Sequence, residues 1–237
     1  MDTADRIRDE LSAAADEKKA GDYEWFFKTG PGEYGEGDRF LGVTVPSQRK
    51  IARKYYKEAT LSDVGTLLES GTHEHRLTAL FILVLKYEKA RDDDEKKAAV
   101  DLYLQKLDRA NNWDLVDSSA PKILGAWLFD KDRSMLYGLA RADHLWRQRV
   151  AVLATYYFTK QDDFKDTLRI AELLLGHPHD LIHKAVGWML REIGNRDRKT
   201  EEEFLKKHYK KMPRTMLRYA IEKFEPEERK RYLAGTV

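Results

Sequence analysis

The sequence of 237 residues contains no cysteine, which excludes disulfide scaffolds, thiol nucleophiles and cysteine-ligated metal sites. It also contains no Gly-x-Ser-x-Gly, P-loop or His-Glu-x-x-His motif, so nothing in it supports a serine hydrolase, a P-loop nucleotidase or a zincin. No apolar run approaches the roughly 18 residues of a membrane span, and the first residues lack the basic-then-apolar pattern of a signal peptide. These absences favour a cytoplasmic protein with no membrane partner.

The glycine-rich segment 29–38 contains a literal Gly-x-Gly-x-x-Gly pattern at Gly30, Gly32 and Gly35. A dinucleotide site needs this pattern between a strand and a helix, but here it follows an aromatic helical stretch at 23–28. The segment also carries acidic side chains, which would repel a pyrophosphate. We therefore expect a mobile loop between two helices, placed so that it can reach a ligand.

Three histidines cluster at His177, His179 and His183. The last two are four residues apart, so a helix would place them on one face, as in some zinc sites. A third ligand would have to come from elsewhere, since His177 precedes a proline. Helix capping and turn polarity account for the cluster equally well, and we predict neither a metal site nor a cofactor.

Most of the sequence follows a helical periodicity, with short polar or Gly/Pro breaks between apolar stripes and no alternating strand pattern. Breaks of this kind suit antiparallel helix pairs. We predict an all-α fold of about twelve to fourteen helices, arranged as a right-handed α-solenoid of HEAT-like repeats with a concave binding face, in a single domain over residues 1–237. The clearest stripes are Leu77, Leu80, Phe81, Val84 and Leu85, then Val150, Leu153, Ala154 and Tyr157, and then Val186, Leu190 and Ile193.

One repeat differs from the others. The repeat expected near position 113 has Trp113, with Asp117 one helical turn later, where the other repeats have a basic residue. Trp188 has the same spacing from Lys184 as Asp117 has from Trp113. The basic residues of this phase recur about every 35 residues, or a multiple of that, at Arg76, Arg149, Lys184 and Arg218.

A regular solenoid would bring Trp113, Asp117, Arg149 and Trp188 onto one strip of its concave surface. The alternative is that Trp188 is a core residue, because the equivalent positions in two other repeats are apolar. The acid Asp117 would then be an ordinary surface residue or part of a helix start.

Charge is distributed unevenly along the chain, although the net charge is only +2. Residues 141–237 carry 21 Lys and Arg against 15 Asp and Glu, whereas residues 1–140 carry 22 against 26. A basic second half suits a polyanionic partner. Solvated helix faces rich in lysine and arginine are the alternative explanation.

Two indoles and a carboxylate on one strip would form a cleft that attracts cations, and an adjacent arginine can hold a phosphate. A cationic group on a phosphate polymer describes an alkylated nucleobase in DNA. Alkylation at purine N3 or N7 makes the base cationic and weakens its N-glycosidic bond. A carboxylate can stabilise the oxocarbenium character of the sugar and position a water. This chemistry requires no metal.

Four segments are similar to a known family, the AlkD-type DNA alkylation repair proteins, which are HEAT-like repeat DNA glycosylases. The resemblance extends from about residue 22 to residue 222. It implies a concave solenoid that binds double-stranded DNA and excises cationic alkylpurines, and we expect a monomer associated with the nucleoid. The matching segments are Phe40–Arg49, Asn112–Asp117, Leu145–Arg149 and Lys184–Glu192.

The resemblance also implies a role for each matched residue. Asp117 corresponds to the catalytic acid, and Trp113 and Trp188 to the aromatics that contact the deoxyribose of the lesion. Arg149 corresponds to the arginine that grips the DNA backbone, and the resemblance implies cleavage without flipping the base into a pocket. From the basic phase, we add Lys184 and Arg218 as DNA-binding residues.

Two rival functions remain at this point. The first is a non-catalytic binder of branched or distorted DNA, against which the retained Asp117 argues. The second is a protein-interaction α-solenoid with no role on nucleic acid. The segment 29–38 is longer than in the best-known members of the family, which leaves the lesion preference open.

Overall fold

The structure is a computed structural model, and it describes residues 2–237. Within this range the chain forms fifteen α-helices and no strand, with one isolated bridge between Arg39 and Thr72. The predicted all-α class is therefore confirmed. No helix of residues 2–237 is long and apolar enough to cross a membrane.

The chain divides into two compact units, of which the first runs to Ile123 and the second from Leu124 to Val237. The boundary falls inside a π-helical turn, Pro121–Gly125. The single domain and the right-handed solenoid stay predictions.

The first unit is built around helix α5. Twelve of its sixteen residues are buried, as expected for a helix surrounded by others. It packs against α1, α3, α4, α6 and α7, and its buried Leu77, Leu80, Phe81 and Val84 are the stripe that the sequence indicated. The helices of this unit are α1 (Thr3–Ala13), α2 (Glu17–Phe26), α3 (Val45–Tyr55), α4 (Leu61–Leu68), α5 (His73–Glu88), α6 (Asp93–Gln105) and α7 (Trp113–Ser119).

Polar side chains set the starts of these helices. Asp16 caps α2 by accepting from the Lys19 amide, and Asp92 caps α6 in the same way. Thr60 and Asp63 form a reciprocal capping box at α4. Such caps satisfy amides that have no partner inside the helix, and each contributes about 1 kcal/mol.

In the second unit α10 and α12 contain the largest numbers of buried residues. Helix α12 packs against α10, α13 and α14. The close approach of α14 depends on Gly187, where a Cβ would lie 2.4 Å from the carbonyl oxygen of Met216. The helices are α8 (Ala126–Leu128), α9 (Ser134–Arg141), α10 (Leu145–Thr159), α11 (Lys165–Leu173), α12 (Asp180–Gly194), α13 (Arg198–His208), α14 (Arg214–Ala220) and α15 (Pro226–Ala234).

Candidate functional site

Helix α7 carries both residues of the exceptional repeat. It starts at Trp113, whose amide donates to the side-chain oxygen of Asn112 at 2.8 Å. Asp117 follows one turn later, and both Trp113 and Asp117 are half-buried. The helix therefore presents an indole and a carboxylate on neighbouring positions of one face.

A buried histidine fixes helix α7 to α5. The Nε2 atom of His73 lies 2.8 Å from Asp114, next to Trp113 on α7, and its Nδ1 atom lies 3.0 Å from Asp38. Arg76 donates to the second oxygen of Asp38 at 2.6 Å. Three segments distant in sequence are thus joined by ion pairs, one of them through Asp114, the residue after Trp113.

This network is charged at neutral pH. Burial lowers the pKa of His73, but the carboxylates of Asp114 and Asp38 outweigh it and raise the pKa to about 9. Burial raises the pKa of Asp38, yet His73 and Arg76 hold it below its usual range. Because the imidazolium has both N–H groups bonded to carboxylates, its position is fixed.

Trp113 belongs to a stack of aromatic rings. Phe27 lies between Phe40 and Trp113, with ring centroids 5.0 and 5.3 Å away and interplanar angles of 18° and 17°. The ring of His73 stacks on Phe40 at 4.6 Å. Phe26 meets Trp113 edge to face at 6.0 Å. Both geometries are favourable for aromatic pairs, so the indole orientation is well determined.

Beside the stack lies a cavity of about 710 Å³, formed entirely within the first unit. Its walls are formed by α2, by α5, by α7, and by the segment that leads into α3 together with the start of α3 itself. Most of the wall surface is apolar. Trp25 and Phe26 stand at its edge with 77% and 53% of their surface exposed. The principal lining side chains are Tyr23, Trp25, Phe26, Phe40, Val45 and Trp113.

The wall made by residues 40–43 is held by the buried carboxylate of Glu74. This group accepts hydrogen bonds from the amides of Leu41, Gly42 and Val43 at 2.8 to 3.2 Å. Gly42 has a φ of 78°, and a Cβ there would lie 2.1 Å from the carbonyl oxygen of Asp16. Only glycine fits this position.

The glycine-rich segment lies between α2 and α3, as its composition suggests. It forms successive turns in which the Gly30 and Gly32 amides donate to Glu33 and Glu36. Its last residue, Asp38, is buried in the ion-pair network. The segment follows helix α2, so it has no strand–turn–helix setting for a dinucleotide.

In the second unit Trp188 is half-buried on α12. Its indole N–H donates to Glu192 at 2.9 Å, and its ring lies 5.6 Å from that of Tyr156. Lys184, one turn earlier, pairs with Asp180 at 2.7 Å. Arg218 on α14 is exposed, and its guanidinium can meet an external anion without losing a buried contact.

Arg149 is a largely buried arginine on α10. It is only 4% exposed, and its Nη1 donates to the carbonyl oxygen of Leu181, near the start of α12, at 2.6 Å. Arg76 of the same phase is also buried. The four recurring basic residues therefore do not share one exposed surface, because two of them, Arg76 and Arg149, are buried and form hydrogen bonds inside their own units.

The structure places Trp113 and Asp117 together on α7, and Lys184 and Trp188 together on α12, against which α10 with Arg149 packs. The convergence of the two groups stays a prediction. Sequence reasoning missed the roles of His73, Phe27 and Phe40. The signals that pointed to this part of the molecule were the aromatic stretch 23–28, the segment Phe40–Arg49 and Trp113.

The three clustered histidines form hydrogen bonds that cap a helix or stabilise the turn before it. His177 bonds Gln148 at 2.8 Å, and His179 accepts from the Leu181 amide at the start of α12. His183 bonds the carbonyl oxygen of His177. Within residues 2–237 no group of three or more His, Asp or Glu side chains is arranged to hold a metal ion.

Comparisons with known proteins agree with this architecture. The profile of a family described as DNA alkylation repair enzyme matches residues 7–224, and curated proteins give no match. The fold is similar to that of an Enterococcus faecalis protein described as a predicted DNA alkylation repair enzyme. The TM-score is 0.68 and the identity 16%, over 90% of this chain and 97% of that chain. At this identity the structural similarity shows a shared fold, whereas the family profile covers most of the sequence.

Proposed function

Because the chain belongs to the DNA alkylation repair enzyme family, we propose that it is a monofunctional DNA glycosylase for cationic N3- or N7-alkylated purines in double-stranded DNA. The observation that supports this most directly is helix α7, which presents Trp113 and Asp117 one turn apart. The ion pair between His73 and Asp114 holds this helix in place. A fixed indole can attract the cationic base before it leaves, and a fixed carboxylate can stabilise the electron-poor sugar that its departure produces.

In the proposed reaction the bond between the sugar C1′ and the purine nitrogen breaks, and the base leaves with the bonding electrons. The base already carries a positive charge, so no general acid has to protonate it. The sugar becomes electron-poor, and the carboxylate of Asp117 stabilises it and orients a water that attacks C1′. The water's proton leaves to solvent, and the products are a free base and an abasic site.

The tryptophans would act on the positive charge and on the sugar. The face of Trp113 attracts a cation through its ring electrons. Trp188 would contact the deoxyribose of the lesion nucleotide. We propose that Arg218 and Lys184 bind phosphates. Arg149 would contribute chiefly by holding the start of α12 through its bond to Leu181, and any phosphate contact would use its small exposed fraction.

The experiment is single-turnover release of 7-methylguanine from a DNA duplex by wild-type protein and by Asp117→Asn. The neutral amide keeps the shape but loses the charge, and we expect at least a ~10²-fold slower release, the scale of removing one preorganised electrostatic contact. Duplex binding should stay nearly unchanged. Asp143→Asn, an exposed change in the second unit, is the matched control.

The outcomes separate the alternatives. Near wild-type release by Asp117→Asn would remove that carboxylate from the mechanism. Tight binding to branched or distorted DNA without base release by any variant would show a non-catalytic DNA binder. A DNA affinity that does not respond to salt would favour a protein-interaction solenoid, since phosphate contacts weaken as salt rises.

A further inference from the structure

A second cavity of the first unit lies at the end of α5 that is opposite to His73. Its volume is about 410 Å³, within the range of small-molecule sites, ~300–1,000 Å³. His73, which pairs with α7, is the first residue of α5, and Lys86, which lines this cavity, follows thirteen residues later. At a rise of ~1.5 Å per residue the two positions lie about 20 Å apart along the helix axis. The cavity is therefore separate from the proposed reaction centre.

Positive side chains surround this second cavity. Four of its nine lining residues are cationic and one is anionic. They come from the turn after α3, the end of α5, the loop before α6 and α6 itself, so the fold gathers this charge from segments that are not adjacent in the chain. We call it the lysine cavity, and its charged lining residues are Lys57, Lys86, Lys89, Arg91 and Glu95.

Helix dipoles do not cancel this charge. Helices α3 and α5 end at the lysine cavity, whereas α4 and α6 begin there. A helix end carries a partial negative charge and a helix start a partial positive one, so the four contributions offset one another. The side chains therefore decide the sign of the field, and that sign is positive.

Lys86 is the half-buried cation of the lysine cavity, and it forms no ion pair within residues 2–237. The carboxylates that act on it are those of Asp63 and Glu95. Asp63 is already bonded to Thr60 in the capping box of α4, and Glu95 is already paired with Arg91. Burial lowers the pKa of Lys86 and outweighs both carboxylates. An anion in the cavity would restore the stabilisation that this ammonium group loses with its water.

Lys57 and Lys89 are exposed at the rim of the lysine cavity. They too form no ion pair in the part of the chain that the structure describes, so each ammonium group can turn towards a ligand without breaking a contact. Each carries three donors and a full positive charge. Three such groups around one recess match a cluster of phosphates, since charge-assisted hydrogen bonds to phosphate oxygens are the strong ones.

The rest of the lysine cavity has an apolar and aromatic wall, formed by Leu61, Ala98 and Tyr56. Tyr56 is half-buried, and its ring is not paired with another aromatic ring of residues 2–237. A tyrosine ring in this position can stack with a nucleobase. The cavity therefore combines a phosphate-binding rim with a wall that suits a flat ring.

We propose that the lysine cavity binds a nucleoside polyphosphate, with its phosphates among Lys57, Lys86 and Lys89 and its base against Tyr56. This ligand site is additional to the proposed glycosylase centre and does not rest on it. A DNA backbone carries the same phosphate chemistry. A recess of about 410 Å³ whose central lysine is half-buried suits a small molecule better than a rigid duplex, because small-molecule sites are concave.

Two substitutions test the lysine cavity without touching helix α7. Lys86→Met keeps most of the side-chain length and removes the half-buried charge, so the ligand-free variant should melt no lower than wild type. Lys57→Met removes an exposed charge that has no ion pair, so it carries little risk to folding. Lys97→Met is the matched control, because Lys97 lies on α6 outside the cavity and pairs with Asp101.

The first measurement is calorimetric titration with adenosine triphosphate, inorganic triphosphate and adenosine, without divalent cations. We expect wild-type protein to bind adenosine triphosphate more tightly than either fragment, because phosphates and base both contribute. Lys86→Met should weaken this binding at least about tenfold, the scale of one charge-assisted hydrogen bond. Lys57→Met should weaken it roughly threefold, as for an exposed charge pair, and Lys97→Met should match wild type.

Three results of this titration would overturn the proposal. The first is no binding of adenosine triphosphate by wild-type protein. The second is equal affinity in wild type, Lys86→Met and Lys57→Met, which would place the ligand elsewhere. The third is inorganic triphosphate that binds as tightly as adenosine triphosphate, because the base would then make no contact with Tyr56.

The second measurement distinguishes the two sources of phosphate. Unchanged affinity of Lys86→Met and Lys57→Met for a DNA duplex, together with weakened nucleotide binding, supports a small-molecule site. Loss of duplex affinity in both variants, but not in Lys97→Met, would assign these lysines to the DNA backbone and overturn the proposal. The nucleotide titration contains no DNA, so it decides this proposal whether or not the protein releases 7-methylguanine.

Discussion

Glu201, on α13, is a carboxylic acid in the protein interior, where glutamate side chains are rare. It is 2% exposed, its carboxyl packs against Gly194, and Oε1 has no hydrogen-bond partner within residues 2–237. Burial raises its pKa to about 8, although Arg198 lowers it. The other charged groups that act on it are Glu202, Glu228 and Arg191. Folded protein thus holds this proton at neutral pH.

We expect Glu201→Gln to remove a loss of stability that sets in as pH rises. The unfolded chain releases this proton near pH 4.5 and the folded chain near pH 8. Between these values unfolding releases a proton, so wild-type stability falls with rising pH by up to about 1.4 kcal/mol per unit. Urea unfolding at pH 5, 7 and 9 should show that the free energy of unfolding of the variant, relative to that of wild type, increases as the pH rises through this window. The exposed Glu203→Gln is the control, and parallel curves for Glu201→Gln and wild type would contradict the assignment.

At the scale of helices, contact distance is set by single glycines. At Gly187 a Cβ would lie 2.4 Å from the Met216 carbonyl oxygen and 2.5 Å from the Tyr219 Cβ. Alanine at this position must push α14 away from α12. The glycine that precedes Trp188 in the family-like segment therefore has a packing role that is independent of DNA.

Two glycine-to-alanine substitutions separate packing from helix propensity. Gly187→Ala should lower the free energy of unfolding by about 1–3 kcal/mol, as overpacked sites do. Gly138→Ala, in a helix with no atom within 4 Å of the added methyl, should raise it by about 0.4–1 kcal/mol. Urea denaturation of both variants measures the difference. A gain in stability from Gly187→Ala would show that the two helices separate at little cost.

For the molecule as a whole, the basic second half is expected to set the affinity for DNA. Arg218 is exposed, whereas Lys184 is paired with Asp180 and Arg149 is buried. The number of basic residues therefore exceeds the number available to phosphates. A salt titration measures that available number directly, because each phosphate contact contributes about one unit to its slope.

Arg218→Ala should reduce the slope of log K against log salt by roughly one unit on any duplex, lesioned or not, with little change in stability. Lys230→Ala is the control, because it removes the same charge from α15, beyond the residues that the family profile matches. Arg149→Ala should instead lower the free energy of unfolding, since a buried hydrogen bond to Leu181 is lost. An unchanged slope in Arg218→Ala would remove this residue from the DNA contacts.

The sequence was sufficient for features that depend on neighbouring residues. Apolar spacing located α5, α10 and α12. The buried charges of Asp38, His73 and Arg76 escaped prediction, because Asp38 meets the other two across 35 and 38 residues of chain. Composition alone likewise does not distinguish the buried Arg149 from the exposed Arg218. The stack of Phe27, Phe40 and Trp113 draws on three separate segments, which no local pattern links.

Helix α7 has only seven residues, and isolated helices shorter than about 12 residues are marginal in water. Its order therefore comes from tertiary contacts: Leu115 and Val116 are fully buried, α7 packs on α5, and Asp114 pairs with His73. Such a helix has little tendency to fray independently while those contacts hold, and its amide hydrogens would exchange with solvent when the first unit itself opens. Under the proposed function, the carboxylate of Asp117 would be positioned by the same cooperative folding unit that buries the core, so base release would require no separate ordering of α7.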